Sequence, residues 1–164
     1  MKKLSLFGTL ILLLMIGACQ RDDDENGQPE ENGLEAFLNG RFEVTQVEYN
    51  GTITIATQSI PVQGTDDDTE GFYDFDREGA EVNYEVSGEM VVEFFGQILP
   101  VPIEVESESP FEIVSETRFV LNDPEYGTMT YDVEDRSENR LICSTNFDEP
   151  SQGINIDMRI TMNR

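Results

Sequence analysis

Apolar and polar residues alternate along most of this chain after residue 40. The clearest case is the stretch 153–162, GINIDMRITM, in which five apolar residues fall on one face and the polar residues fall on the other. A period of two is typical of an antiparallel strand with one buried face. The same pattern recurs at Val82–Val86 and Met129–Val133. The chain is therefore constrained to an all-β fold.

Turn residues divide the alternating stretches into about nine strands, with a tenth at the end. We predict strands near 41–49, 52–63, 71–76, 80–87, 89–96, 98–106, 111–121, 127–134, 138–146 and 153–162. Turns are predicted at Asn50-Gly51, Arg77–Gly79, Ser87-Gly88, Gly96-Gln97 and Asn122–Gly127. A change of phase at Thr45-Gln46 predicts a bulge, and Leu34–Leu38 predicts one helical turn. Many short, evenly spaced strands favour an antiparallel barrel or a β-sandwich.

Two motifs resemble those of lipocalins and of the lipocalin-like lipoproteins of Bacteroidota. The segment Leu38–Val44, LNGRFEV, is similar to the Gly-x-Trp-x-Val start of that family, with Phe42 in the place of Trp. The segment Phe72–Gly79 resembles the family's mid-barrel hairpin. The resemblance implies an up-and-down barrel of about 8–10 strands over residues 34–164, with Arg159 as the partner of Phe42. Its interior is expected either to hold a small ligand or to be filled by its own side chains.

The first nineteen residues resemble the signal of a bacterial lipoprotein. Lys2 and Lys3 precede an apolar run over 4–16, and Ile16-Gly17-Ala18 leads to Cys19. We expect residues 1–18 to be a signal peptide and Cys19 to carry acyl chains that hold the protein in the lipid bilayer. The alternative is an ordinary secretory signal with a chance cysteine. A membrane span is disfavoured, because the run is shorter than the roughly 20 residues that a span needs.

Residues 20–32 predict a flexible tether. They contain six acidic residues and no large apolar side chain, so little offsets the entropy of ordering them. Residues 19–33 are therefore expected to link the lipidated cysteine to the domain. The acidic run also resembles the export signal of Bacteroidota lipoproteins to the cell surface, which places the protein at the bacterial outer membrane. A plain solvated spacer is the alternative.

The composition excludes several functions. The formal net charge is −24, and both lysines lie in the signal, so the surface repels nucleic acid. The chain contains no histidine, which removes the commonest general base and metal ligand. Cys143 lies in a strand-like stretch without an activating neighbour and is expected to be buried and inert. We expect a non-catalytic protein without a cofactor; an enzyme that uses carboxylates alone is a minor alternative.

One acidic loop carries a weak calcium signal. Asp66, Asp68 and Glu70 occupy positions 1, 3 and 5 of a calcium loop, and Gly71 occupies position 6. Position 12 is Arg77, where a bidentate Glu is needed. A solvated acidic turn is the favoured interpretation.

The stretch Glu89–Glu106 predicts an apolar hairpin whose second limb carries Pro100 and Pro102. Since proline cannot donate to a ladder, this limb is expected to be an edge strand or an irregular lid. The hairpin either closes a cavity or docks a partner, or else its second face is covered by Leu34, Phe37 and Leu38. The last interpretation is favoured.

These observations predict a lipid-anchored envelope protein that binds a small apolar or amphipathic ligand or serves as a module in a surface complex. A β-sandwich adhesion or carbohydrate-binding module, with or without Ca²⁺, is the alternative. The residues expected to line the cavity or core are Phe42, Val44, Tyr84, Met129, Tyr131, Ile156, Met158 and Ile160.

Overall fold

A computed structural model describes residues 33–55, 57–151 and 153–164, with only the backbone given for Phe94. The described elements are α1 (Leu34–Phe37), β1 (Gly40–Ile55), β2 (Gln58–Asp66), β3 (Glu70–Asp76), β4 (Glu81–Phe94), β5 (Gln97–Ser115), β6 (Arg118–Asp123), β7 (Gly127–Ser137), β8 (Arg140–Glu149) and β9 (Ile154–Asn163). The predicted signal peptide and tether, including Cys19, lie outside the described residues. Among those described, no helix has the length and apolar character needed to cross a membrane.

The nine strands form a single antiparallel sheet that closes on itself. Neighbours from β3 to β9 pair in chain order, and β1 pairs with β9 along most of its length. β2 and β3 occupy one position in this ring, because each pairs with part of β1 and part of β4. The predicted closed, up-and-down antiparallel fold with one short helix is confirmed, and the sandwich alternative is not what the described strands form.

The turn predicted at Asn50-Gly51 is wrong. β1 runs straight through these residues and turns only after Ile55. Gly51 is needed for a different reason: a Cβ built on it would lie 2.2 Å from the backbone oxygen of Asn155 on β9. The glycine therefore allows two strands that are distant in sequence to approach closely.

The turn predicted at Ser87-Gly88 is also wrong, since β4 continues to Phe94. A Cβ on Gly88 would lie 2.6 Å from a carboxylate oxygen of Asp66. That carboxylate accepts the backbone N–H of Glu89 at 2.8 Å and so ties β4 to the end of β2. The predicted turns at Arg77–Gly79 and Asn122–Gly127 and the bulge between Val44 and Gln46 are confirmed. The turn predicted at Gly96-Gln97 lies one residue earlier, at Phe95-Gly96.

The inward faces of the strands form two apolar clusters. We call the larger one the basal cluster; its buried members are Leu34, Leu38, Phe42, Val44, Val47, Tyr73, Phe75, Val82, Tyr84, Phe111, Phe119, Leu121, Met129, Tyr131, Leu141, Cys143, Ile160 and Met162. We call the smaller one the distal cluster; its buried members are Tyr49, Ile53, Ile60, Val62, Met90, Val92 and Ile156. The half-buried Met158 packs against both clusters and marks their junction.

Arg164, and not Arg159, is the partner of Phe42. Its guanidinium lies 4.4 Å from the centre of the Phe42 ring and donates hydrogen bonds to the backbone oxygens of Phe37 and Asn39. Arg159 instead bonds Glu48 and Glu134 at 2.6 Å on the outer face. The assignment of Arg159 was wrong because odd-numbered residues of β9 point outward.

A notch interrupts the wall of the ring between β5 and β8. Residues 97–110 of β5 pair with β4 but not with β6, whose pairing begins at Phe111. β8 pairs with β7 only as far as Thr145 and continues beside β9 alone. The short β6–β7 turn forms the floor of the gap, so the closed sheet has a lateral opening on this side.

Candidate functional site

A cavity lies at the junction of the two clusters and opens toward the notch. Its volume is about 70 Å³, and it is partly open to solvent. Its lining residues are Val47, Tyr49, Asp66, Thr69, Tyr73, Tyr84, Val86, Gly88, Glu89, Ile103, Val105, Tyr126, Met129, Tyr131, Phe147, Met158 and Ile160. A cavity that holds benzene has about 150 Å³, so this cavity takes roughly three heavy atoms.

The mouth is framed by side chains on both sides of the notch. Ile103 and Val105 of β5 lie on one side, Phe147 of β8 on the other, and Tyr126 on the floor. All four are half-buried. The rings of Tyr126 and Phe147 meet edge to face with centroids 5.5 Å apart. A ligand entering through the notch would contact these four side chains first.

All five tyrosines of the chain line this cavity. Two of their hydroxyls are committed to the fold: Tyr49 accepts the backbone N–H of Val91 at 2.8 Å, and Tyr84 donates to Asp123 at 2.6 Å. The hydroxyls of Tyr73 and Tyr131 face each other in the interior at 3.4 Å. Burial raises the pKa of both of these hydroxyls well above the ordinary tyrosine value, so they remain neutral.

Asp123 anchors the floor of the notch. Its carboxylate accepts the Tyr84 hydroxyl, the Ser109 hydroxyl at 2.8 Å and the backbone N–H groups of Glu125 and Tyr126, both at 2.7 Å. Burial alone would raise the pKa of this carboxyl. The hydrogen bonds outweigh burial and hold the pKa of Asp123 well below its usual range.

The charge around the cavity is negative. Asp66 and Glu89 lie on its wall, and no arginine does among the described residues. Burial raises the pKa of Asp66, but hydrogen bonds from the backbone of Glu89 and Asp68 lower it more, so this group is ionised at neutral pH. The site therefore favours an uncharged or cationic ligand over a carboxylate.

The eight residues predicted for the cavity or core divide into three groups. Tyr84, Met129, Tyr131, Met158 and Ile160 line the cavity. Phe42 and Val44 are buried in the basal cluster away from it, and Ile156 is buried in the distal cluster. Period-two alternation placed all eight on inward faces, but it could not indicate how far along the interior each one lies.

Sequence reasoning missed Tyr49, Tyr73, Tyr126 and Phe147 as lining residues, and it missed Asp123 as the acceptor of the Tyr84 hydroxyl. Asp123 was interpreted only as a turn residue. Tyr126 and Phe147 lie on different elements, and no sequence pattern brings them together. One feature of the sequence could have indicated the tyrosines of the site: they recur at inward positions of a chain that has no tryptophan.

The calcium hypothesis receives no support from the described residues. Among them, no three Cys, Asp or Glu side chains are placed to hold a metal ion. Asp66 instead accepts the backbone N–H groups of Asp68 and Glu89, and Asp68 and Glu70 are exposed. The loop therefore serves to bend the chain between β2 and β3.

The apolar hairpin of β4 and β5 forms one wall of the cavity. Met90 and Val92 pack in the distal cluster, and Ile103 lines the cavity mouth. Its outer face is exposed, with 41% exposure at Val91 and 73% at Ile98. The prediction that Leu34 and Leu38 cover this face is wrong, since both are buried in the basal cluster. The predicted edge position of Pro100 and Pro102 is confirmed.

Cys143 is a free, fully buried thiol in the basal cluster, as predicted. Burial raises its pKa, and Glu134 raises it further. The thiol is therefore neutral and cannot serve as a nucleophile in this environment.

Comparisons with known proteins return remote structural likeness alone. No protein-family model matches the chain, and no curated protein matches it. A dog lipocalin allergen is 15% identical with a TM-score of 0.41, over 77% of this chain and 72% of its own. A bovine odorant binding protein in complex with a selenium-containing odorant is 14% identical with a TM-score of 0.43, over 78% and 73%. Because these identities and TM-scores are low, the fold assignment rests on the strand pairing described above.

Proposed function

We propose that this chain is a non-catalytic binding protein that holds one end of a small, uncharged, apolar or amphipathic molecule in its cavity. The observation that carries this proposal is the enclosed apolar space at the junction of the two clusters, with a lateral mouth framed by Ile103, Val105 and Phe147. Ligand pockets are typically concave, mainly apolar, and furnished with a few convergent polar groups.

The size of the cavity defines how a ligand would sit. The volume of 70 Å³ accommodates only a short group. The rest of a longer molecule would lie in the notch against Phe147 and the inner face of β5. The negative charge of Asp66 and Glu89 disfavours fatty-acid carboxylates at the same position.

Native mass spectrometry tests this proposal. Both clusters and every described strand lie within residues 33–164, so this unit carries its own core. A chain that begins at residue 20 can therefore be purified from its native host without lipidation. We expect a population with a bound neutral molecule that is released by organic solvent. A chain that is uniformly free of ligand, and that also binds no small apolar probe, would contradict the proposal.

The glycan-binding alternative is less well supported. A carbohydrate-binding face needs a row of exposed aromatic rings, whereas all five tyrosines here face the cavity. Membership in a surface complex stays a prediction that depends on the location of the protein.

We further propose that the protein is held at the bacterial outer membrane by acyl chains on Cys19. The support is the sequence alone: a basic start, an apolar run over 4–16 and small residues before the cysteine. Metabolic labelling with a palmitate analogue should mark the wild type and not Cys19→Ala. A Cys19→Ala chain that is processed normally and stays in the membrane fraction would contradict lipid anchoring.

A further inference from the structure

Two buried hydroxyls on the cavity wall, those of Tyr73 and Tyr131, make only long hydrogen-bond contacts. Tyr73 is 3% exposed and Tyr131 is 1% exposed, and their hydroxyl oxygens are 3.4 Å apart. Bonds between hydroxyl groups are normally about 2.7–2.8 Å long. The Tyr131 hydroxyl has one other contact, with the Met129 sulfur at 4.0 Å. The two hydroxyls are therefore engaged only in long contacts, which a better acceptor could replace.

A third hydroxyl beside this pair is also unsatisfied. Thr145 lies opposite Tyr131 in the register of β7 and β8 and is 6% exposed. Its Oγ1 atom is buried without any hydrogen-bond partner in the described part of the chain. Buried polar groups in proteins are almost always paired, and an unpaired group carries a desolvation cost. The Thr145 hydroxyl is therefore a further polar group in this region that the described part of the chain leaves unpaired.

Both tyrosine rings are held in fixed positions. Tyr73 stacks on Tyr84 with centroids 5.1 Å apart and an angle of 5°. Tyr131 stacks on Phe119 with centroids 4.8 Å apart and an angle of 6°. Such stacking fixes the two rings, so a ligand that reached the hydroxyls would meet donors that are already oriented.

We propose that the Tyr73–Tyr131 pair is the polar subsite of the cavity and donates a hydrogen bond to the carbonyl oxygen of an uncharged ligand. This inference rests on the proposed function, and it adds the ligand class: a ketone, aldehyde, ester or amide with an apolar remainder. A neutral acceptor fits because both hydroxyls stay protonated and no arginine of the described residues lines the cavity to balance a carboxylate. A carbonyl oxygen would replace the long contact between the two hydroxyls with a short bond.

Calorimetric titration of the chain from residue 20 with two matched probes tests this inference. The probes are 2-hexanone and 2-methyl-1-hexene, which differ only in the replacement of the carbonyl oxygen by a methylene group. We expect the ketone to bind about three- to ten-fold more tightly to the wild type. Tyr131→Phe and Tyr73→Phe should each reduce this preference. Thr130→Val, which removes an exposed hydroxyl next to Tyr131, should leave it unchanged.

The outcomes separate this inference from the proposed function. Equal affinity of the wild type for both probes would overturn the carbonyl subsite and leave a purely apolar binding site standing. Binding of neither probe would overturn both proposals. A preference that survives both tyrosine substitutions would assign the ketone to another donor and overturn the role of the pair. If one variant fails to fold by near-ultraviolet circular dichroism, the wild type and the other variant decide the question.

Discussion

The hydroxyl of Tyr84 donates a 2.6 Å hydrogen bond to the buried carboxylate of Asp123. This bond joins a ring on the cavity wall to the turn that forms the floor of the notch. It couples the shape of the cavity to the packing of a surface turn, although the two residues are 39 positions apart.

We expect Asp123→Asn to destabilise the protein by about 3 kcal/mol, because two buried hydroxyls and two backbone N–H groups lose an ionised acceptor. Tyr84→Phe removes a single donor and should cost about 1 kcal/mol. Urea unfolding at pH 7 measures both values. Equal effects of the two variants would show that Asp123 is not the centre of the network.

The same carboxyl should make stability depend on pH. Its pKa is lowered in the folded protein, so its contribution is present above the unfolded value of about 3.9 and is lost as the pH falls through that value and below. We expect the stability difference between the wild type and Asp123→Asn to shrink between pH 5 and pH 2. Comparison with the variant cancels the titration of the many surface acids. If the stability difference between the two proteins is constant over this range, the pKa of Asp123 is not lowered in the folded protein.

Arg164 should contribute more to stability than Arg159, although Arg159 makes two ion pairs of 2.6 Å. We expect Arg164→Ala to cost about 1.5 kcal/mol, since it removes the guanidinium over Phe42 and two bonds to backbone oxygens. Arg159→Ala should cost less than about 1 kcal/mol, because its ion pairs are largely exposed. If urea unfolding shows a larger loss of stability for Arg159→Ala than for Arg164→Ala, then Arg164 is not the arginine that stabilises the packing around Phe42.

Gly51→Ala should destabilise the protein by about 2 kcal/mol, because the added Cβ meets the backbone of β9, which cannot move aside as a side chain would. Asn50→Ala changes an exposed residue in the middle of the same strand and should change stability by less than about 0.5 kcal/mol. If Asn50-Gly51 were a type I′ turn, both residues would need positive φ, so Asn50→Ala would be clearly destabilising as well. Thermal unfolding of both variants distinguishes the two arrangements.

The notch should be the route into the cavity. Ile103→Glu places a carboxylate at its rim and should weaken binding of 2-hexanone by about ten-fold or more, since one end of the ligand would lie against a charge. Val91→Glu makes a comparable apolar-to-acid change on the outer face of the same hairpin and serves as the control. If Ile103→Glu and Val91→Glu bind 2-hexanone equally well, the ligand neither enters through the notch nor contacts its rim.

Much of the fold could be predicted because alternation reports a local property, the side of the sheet on which a residue lies. The inward positions of Tyr84, Tyr131 and Ile160 follow directly from it. The turns were less predictable, since a glycine such as Gly51 can serve either a reversal or the close approach of a distant strand. The notch was invisible for a related reason: it depends on where β5 and β8 lose their partners, which is a property of register across the whole ring.

Methyl NMR of the methionines tests the central claim most directly. Met129 and Met158 line the cavity, whereas Met162 is buried in the basal cluster and does not line it. We expect titration with 2-hexanone to shift the methyl signals of Met129 and Met158 in a saturable manner and to leave Met162 unchanged. Saturable binding with no shift at Met129 and Met158, or no saturable binding at all, would contradict the claim that this cavity is the ligand site.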